Sequence, residues 1–107
     1  MSIESKLKEI ETVVQSNPVV LYMKGTKEQP MCGFSAQVVS ILNELNTPFI
    51  GFNVLEDEEL RQAVKVYADW PTIPQLYVHG EFVGGCDIAT EMYQTGELKT
   101  LIHTPPA

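Results

Sequence analysis

The sequence predicts an α/β fold, a four-stranded mixed sheet flanked by helices on both faces. Two features lead there. Across 107 residues, stretches with apolar residues at helical spacing alternate with short β-branched and aromatic runs. The order is helix, strand, helix, strand, helix, two strands, helix. The first short run, VVLYM at 19–23, is apolar at every position, as in a strand covered on both sides. Strand, helix, strand implies a parallel pair with a right-handed crossover, and the hairpin that follows adds an antiparallel half.

Ile3, Leu7, Ile10, Val13 and Val14 recur at helical spacing, with Ser2 able to cap the start and Ser16-Asn17-Pro18 ending the run. The strand at 19–23 leads into the loop KGTKEQPM. From Phe34, the residues Val38, Ile41, Leu42 and Leu45 mark one face of a second helix that stops near Asn46-Thr47-Pro48. FIGFNV at 49–54 reads as a second strand. LEDEELRQAVKVYADW opens with acids, which suit a helix start, and carries Leu60, Val64 and Tyr67 on one face, so a third helix spans 57–68. QLYVHGEFVGG at 75–85 reads as two strands joined at His79-Gly80. Asp87 can cap a helix through Tyr93, Thr95-Gly96-Glu97 breaks it, and LKTLI adds a short terminal helix.

The length suits one hydrophobic core, so residues 1–107 are expected to form a single domain. No run of about 18 apolar residues offers a membrane span. The acidic, amphipathic start fits neither a signal nor a transit peptide, so the expected compartment is the cytoplasm. Fourteen acidic against seven basic residues give a net charge of -7, which opposes a nucleic-acid partner. The two cysteines, Cys32 and Cys86, are expected to be reactive or ligating thiols rather than a disulfide, because cytosolic thiols stay reduced.

Cys32 falls at the last loop position before the second helix, where unpaired N–H groups and the helix dipole favour a thiolate. Lys24 and Lys27 add positive charge in the same loop. A free cysteine is also often a small buried residue, but Gly33 leaves the approach to the sulfur open and favours the reactive reading. Ser35 stands where a second cysteine would complete a Cys-x-x-Cys pair. A hydroxyl cannot resolve a mixed disulfide, so two-thiol reductase chemistry is disfavoured, and Ser35 reads as a first-turn residue bonding locally. Trp70 and Ile73 read as core as readily as site, and physics alone puts Pro74 after a trans bond, as in about 95% of X-Pro pairs. The N–H groups of Cys86 and Asp87 could receive a carboxylate and the Asp87 side chain an ammonium, or the segment is a turn with a capping aspartate. Arg61 reads equally as a solvated helix residue. The acids at 56–59 read as a helix start, His79 and His103 as exposed, and Tyr22 and Tyr93 as core.

LYMKGT, CGFSAQ, WPTIPQLYV, GEFVGGCDI and EMYQTGEL, in this order and spacing, resemble the single-domain monothiol glutaredoxins whose hallmark is Cys-Gly-Phe-Ser, and most the bacterial glutaredoxin 4 type. The resemblance covers nearly the whole chain. It implies a thioredoxin-like fold, a cis bond before Pro74, and a groove for glutathione. In that groove Lys24, helped by Arg61, would meet the glycine carboxylate, the Ile73 backbone the cysteinyl unit, and Cys86 and Asp87 the γ-glutamyl end. Lys24, Lys27 and Arg61 are then expected near one cleft. The resemblance also implies a labile [2Fe-2S] cluster in a homodimer, ligated by Cys32 of each chain and two glutathiones. Its implied role is iron-sulfur cluster assembly and transfer, with apo iron-sulfur proteins and BolA-like proteins as partners. The alternative is a glutathione-dependent thiol-disulfide oxidoreductase using Cys32, alone or with Cys86 as a distant resolver. Cys86 is otherwise read as structural, and Met31 and His79 depart from the residues usual at their positions.

Overall fold

In the computed structural model, which describes residues 3–105, the run Val19–Met23 forms strand β1 and is buried at every position. The expected cap at Ser2 lies outside the described residues. Burial throughout is possible because helices cover both faces. Val19, Leu21 and Met23 enter one core, and Val20 and Tyr22 enter another, as the two-residue period of a strand dictates. The second core is closed by helices α1 (Ile3–Ser16) and α3 (Glu58–Ala68) through Ile10, Val14, Leu60, Ala63 and Val64. The first is closed by α2 (Gly33–Glu44), α4 (Cys86–Thr95) and α5 (Glu97–His103) through Val38, Ile41, Leu42, Ala89 and Leu98. Leu21 and Leu42 are fully buried, so truncating either to alanine should cost about 2–5 kcal/mol.

Strand β2 (Ile50–Asn53) pairs parallel to β1. On the other side of β1, β3 (Gln75–Val78) pairs antiparallel, and β4 (Glu81–Gly84) follows it, giving the order β2-β1-β3-β4 and the predicted four-stranded mixed sheet. In the β3–β4 hairpin, His79 (φ 50°) and Gly80 (φ 83°) are both left-handed, the requirement of a type I′ turn.

Several local expectations are corrected. Val54 leaves β2 for a 3-10 turn (Val54–Glu56), because the Asn53 side chain accepts the Leu55 N–H at 3.0 Å and bends the chain. Asp57 caps α3 by accepting the Leu60 N–H at 3.1 Å and also meets Lys6 Nζ at 2.6 Å, joining α1 to the start of α3. Asp87 is not a cap: Gly85 is the N-cap of α4, and Asp87 lies inside the first turn. His79 is half-buried, not exposed, because the hairpin turn folds back on α5 and sets its Nε2 2.9 Å from the Ile102 carbonyl; His103 is exposed. Tyr22 is core, but Tyr93 is 37% exposed because Ala89 and Met92 take the inward positions of α4.

Candidate functional site

The C-terminal end of β1 enters a loop, residues 24–32, that returns to α2. The loop closes on itself: the Met31 N–H donates to the Lys24 carbonyl at 2.8 Å, and Thr26 and Gln29 exchange N–H···O bonds of 3.2 and 3.1 Å. Gly25 has φ +93°, and a Cβ there would lie 2.4 Å from Met31 N and 2.6 Å from the Gln29 carbonyl, so the closure requires glycine. Two side chains from regular elements fasten the same corner. The Gly25 N–H donates to Asn53 Oδ1 at 2.9 Å, and the Lys24 N–H to Ser35 Oγ at 3.0 Å. Ser35 is fully buried. Its bond therefore crosses to the end of β1, which corrects the expectation of a local bond within the helix turn.

Cys32 is the N-cap of α2, with extended backbone (φ −151°, ψ 136°), and its carbonyl accepts the Ala36 N–H at 2.9 Å. The thiol is free and half-buried. Its side chain completes no N-cap bond of strict geometry, yet its pKa is held below the ordinary cysteine value. Hydrogen bonding from the Ser35 amide lowers it most; partial burial opposes this, and the Phe34 amide, the Lys24 charge and the Ser35 hydroxyl lower it further. A Cβ on Gly33 would touch nothing within 4 Å, and Met31 and Phe34 are 66% and 63% exposed, so the thiolate sits on an open apolar rim.

Two concavities adjoin there. One, of about 450 Å³, is lined by Cys32, Phe34, Gln37, Cys86 and Thr90. Cys86, distant in sequence, thus shares it with Cys32, its Sγ 3.9 Å from Thr90 Oγ1. The other is a groove of about 510 Å³ that shares Phe34 and Cys86 with the first. It brings Lys24 and Arg61 together with Asp87 at the α4 start, and the segment 70–74 forms a wall that includes Ile73 and the cis Ile73–Pro74 peptide. Trp70 belongs to that wall and leans on Phe82 with ring centroids 5.7 Å apart, while Ile73 serves core and groove together.

Lys24, Arg61 and Lys65 line the groove with cationic groups, and the start of α4, which no N-cap side chain closes among the described residues, adds its first-turn amides and the Asp87 carboxylate. The groove thus offers a ligand both cationic groups and a carboxylate. Arg61 Nε is buried without a hydrogen-bond partner among the described residues, and Nη1 is a distant 3.9 Å from Glu58 Oε2, leaving donors for an anion. Lys65 escaped the sequence reading, although its i,i+4 spacing from Arg61 places both on one helix face. Lys27 is outside the groove: the 26–29 turn carries it outward, and its Nζ lies 4.4 Å over the Phe49 ring. Among the described residues no group of three or more His, Cys, Asp or Glu side chains could hold a metal ion.

The family model described as Glutaredoxin matches residues 19–83. A probable monothiol glutaredoxin 2 of Rickettsia typhi is 56% identical over 96 residues, covering 90% of this chain and 86% of that protein. An uncharacterized ycf64-like monothiol glutaredoxin of Synechocystis is 54% identical over 103 residues, covering 96% and 95%. The solution structure of reduced poplar apo GrxS14 has a TM-score of 0.81 to this chain at 55% identity, covering 94% of this chain and 93% of that one, and shares its thioredoxin-like fold. The chain belongs to the glutaredoxin family and, within it, to the monothiol glutaredoxins.

Proposed function

We propose that this protein binds glutathione in the groove and, in the cytoplasm, uses the Cys32 thiolate together with glutathione to carry a labile [2Fe-2S] cluster between two copies of the chain. The accessibility of Cys32 supports this reading: one activated thiolate lies on an open rim, and Ser35 beside it is buried and bonded to the Lys24 amide. A [2Fe-2S] unit takes four ligands, typically thiolates, so two chains supply two and two glutathione thiols complete the set. The glycine carboxylate of glutathione would meet Lys24, Arg61 and Lys65, and its cysteinyl unit the Ile73 backbone. The γ-glutamyl carboxylate would lie at the Cys86 and Asp87 amides, with its ammonium at the Asp87 side chain. Because half the ligands can dissociate, the cargo suits delivery to apo iron-sulfur proteins, with BolA-like proteins able to replace the second copy. Anaerobic reconstitution with iron, sulfide, thiol reductant and glutathione should give a brown dimer. Cys32→Ala should lose both the absorbance and the dimer, and a variant that keeps both overturns the assignment.

The concavity shared by Cys32 and Cys86 favours a second reading, glutathione-dependent thiol-disulfide exchange. Here the Cys32 thiolate attacks the glutathione sulfur of a mixed disulfide, the S–S bond breaks, and the substrate thiolate leaves and takes a proton. The Cys86 thiolate then attacks Cys32 sulfur, releasing glutathione and forming a disulfide that two further glutathiones reduce. Fast turnover of a glutathionylated peptide without any reconstituted cluster would select this reading. Equal turnover by Cys86→Ser would remove Cys86 from it.

A further inference from the structure

We propose that Gln75 is a positioning residue for the groove: its buried amide fastens the 70–74 wall to β3 and so sets the surface that faces the ligand, a role that rests on the glutathione reading above. Gln75 is fully buried. Its Nε2 donates to the Trp70 and Thr72 carbonyls, each at 3.2 Å, and its Oε1 accepts the Tyr77 hydroxyl at 3.1 Å. Both amide protons and the oxygen are therefore engaged, and turning the amide over would set its oxygen against two carbonyls. Tyr77 is held among aromatic rings, with centroids 5.9 Å from Tyr22 and Tyr67 and 5.4 Å from Phe82.

An apolar side chain would fill this space without desolvating an amide, so packing alone gives no reason for glutamine. What glutamine adds is a double donor able to hold two carbonyls of the wall at once. Trp70 is already tied by its N–H to the Lys65 carbonyl at 3.0 Å, so Gln75 completes its anchoring between α3 and β3. Among the described residues, the Ile73 amide and carbonyl take no part in the backbone hydrogen bonds of the loops, which leaves both for a ligand. The opposite bank is close: a Cβ on Gly85 would lie 3.2 Å from the Pro74 carbonyl and 3.7 Å from Trp70 Nε1. A wall released by a few tenths of an ångström would change the groove.

Trp70 is the one tryptophan of the chain and lines the groove, so its fluorescence reports the wall directly. Gln75→Met removes the two donors, whereas Tyr77→Phe perturbs the same network and leaves both donors on the wall. Without ligand, Gln75→Met should shift Trp70 emission to the red, and Tyr77→Phe should not. Titrated with glutathione, Gln75→Met should bind about tenfold more weakly and Tyr77→Phe within about twofold of the parent chain. Unchanged emission and affinity in Gln75→Met, or equal weakening by Tyr77→Phe, overturns the proposal. If the parent chain binds no glutathione, the reading of the groove fails, and the ligand-free emission distinguishes that from failure of the anchor. Should Gln75→Met not fold, the unmodified chain gives the same test by NMR. Its Gln75 side-chain amide protons should exchange slowly and shift on glutathione addition, and fast exchange overturns the anchor.

Discussion

Ser35→Ala separates the two contributions that Ser35 makes. The hydroxyl is fully buried and accepts the Lys24 N–H at 3.0 Å, while the amide is the largest influence holding the Cys32 thiol low. Alanine deletes the first and keeps the second. A neutral hydrogen bond contributes about 1 kcal/mol and an unmet buried donor costs about 1–3 kcal/mol. The Lys24 amide is only partly buried and water can replace some of the lost bond, so a loss of about 1–2 kcal/mol is expected, or roughly 5–10 °C in Tm. The hydroxyl is the smallest of the influences on Cys32, so the thiol pKa should rise slightly and stay below its ordinary value. Urea unfolding and pH titration of thiolate absorbance, both in a Cys86→Ser background, measure the two effects. Unchanged stability would refute the fastening of Lys24, and a thiol returned to its ordinary pKa would refute the leading role of the amide.

Gly25→Ala should be more damaging, because it combines a left-handed φ of +93° with contacts of 2.4 and 2.6 Å to backbone atoms. A loss above about 2 kcal/mol in urea unfolding is expected, and one below about 0.5 would show that the loop can relax. The Cys32 pKa is lower folded than unfolded, so its contribution to stability is present above the unfolded value and is lost as pH falls through the folded one. Alkylation of Cys32 should accordingly persist at pH values where an ordinary thiol has stopped reacting, and coincidence with a model thiol would contradict this. Asp57 is likewise held low, first by Lys6 and then by the Leu60 amide, so its contribution is lost as pH falls through its depressed value. Asp57→Asn should therefore flatten the acid limb of the stability profile, and an unchanged limb argues against the pair. Finally, Lys65→Ala should weaken glutathione binding about three- to tenfold in calorimetry while Lys27→Ala changes little; the reverse ranking would relocate the cationic end of the groove.

The fold was legible because β1 is apolar at every position and the helices show one clear face each. The two-residue alternation that sends Leu21 and Tyr22 into different cores needs no long-range information. Lys24 and Cys32 were legible from the loop before α2, whereas Asp87 stood open between a cap and a binding group and Arg61 reached the groove only through the family resemblance. What escaped depends on partners far along the chain. Ser35 could not announce a bond to the end of β1, nor could Lys27 announce the ring of Phe49. Tyr93 shares helical spacing with Ala89, but the inward arc of α4 is narrow and excludes it. Lys65 was readable from its spacing to Arg61 once the groove side of α3 was known.

Ser35, Asn53 and Gln75 apply one device at the C-terminal edge of the sheet. Each is a polar side chain on a regular element, and each bonds backbone groups of a loop that builds the site. Asn53 and Ser35 hold Lys24 and Gly25, and Gln75 holds Trp70 and Thr72, so the groove is preorganised before any ligand arrives. The residue after Phe34 is therefore under a constraint separate from thiol chemistry: from a fully buried position it must accept a hydrogen bond from the partly buried Lys24 amide. Sulfur is the weaker acceptor, and serine fills that need better than a second cysteine. The absence of a resolving thiol beside Cys32 and the rigidity of the loop that presents Cys32 are thus two consequences of the same hydroxyl.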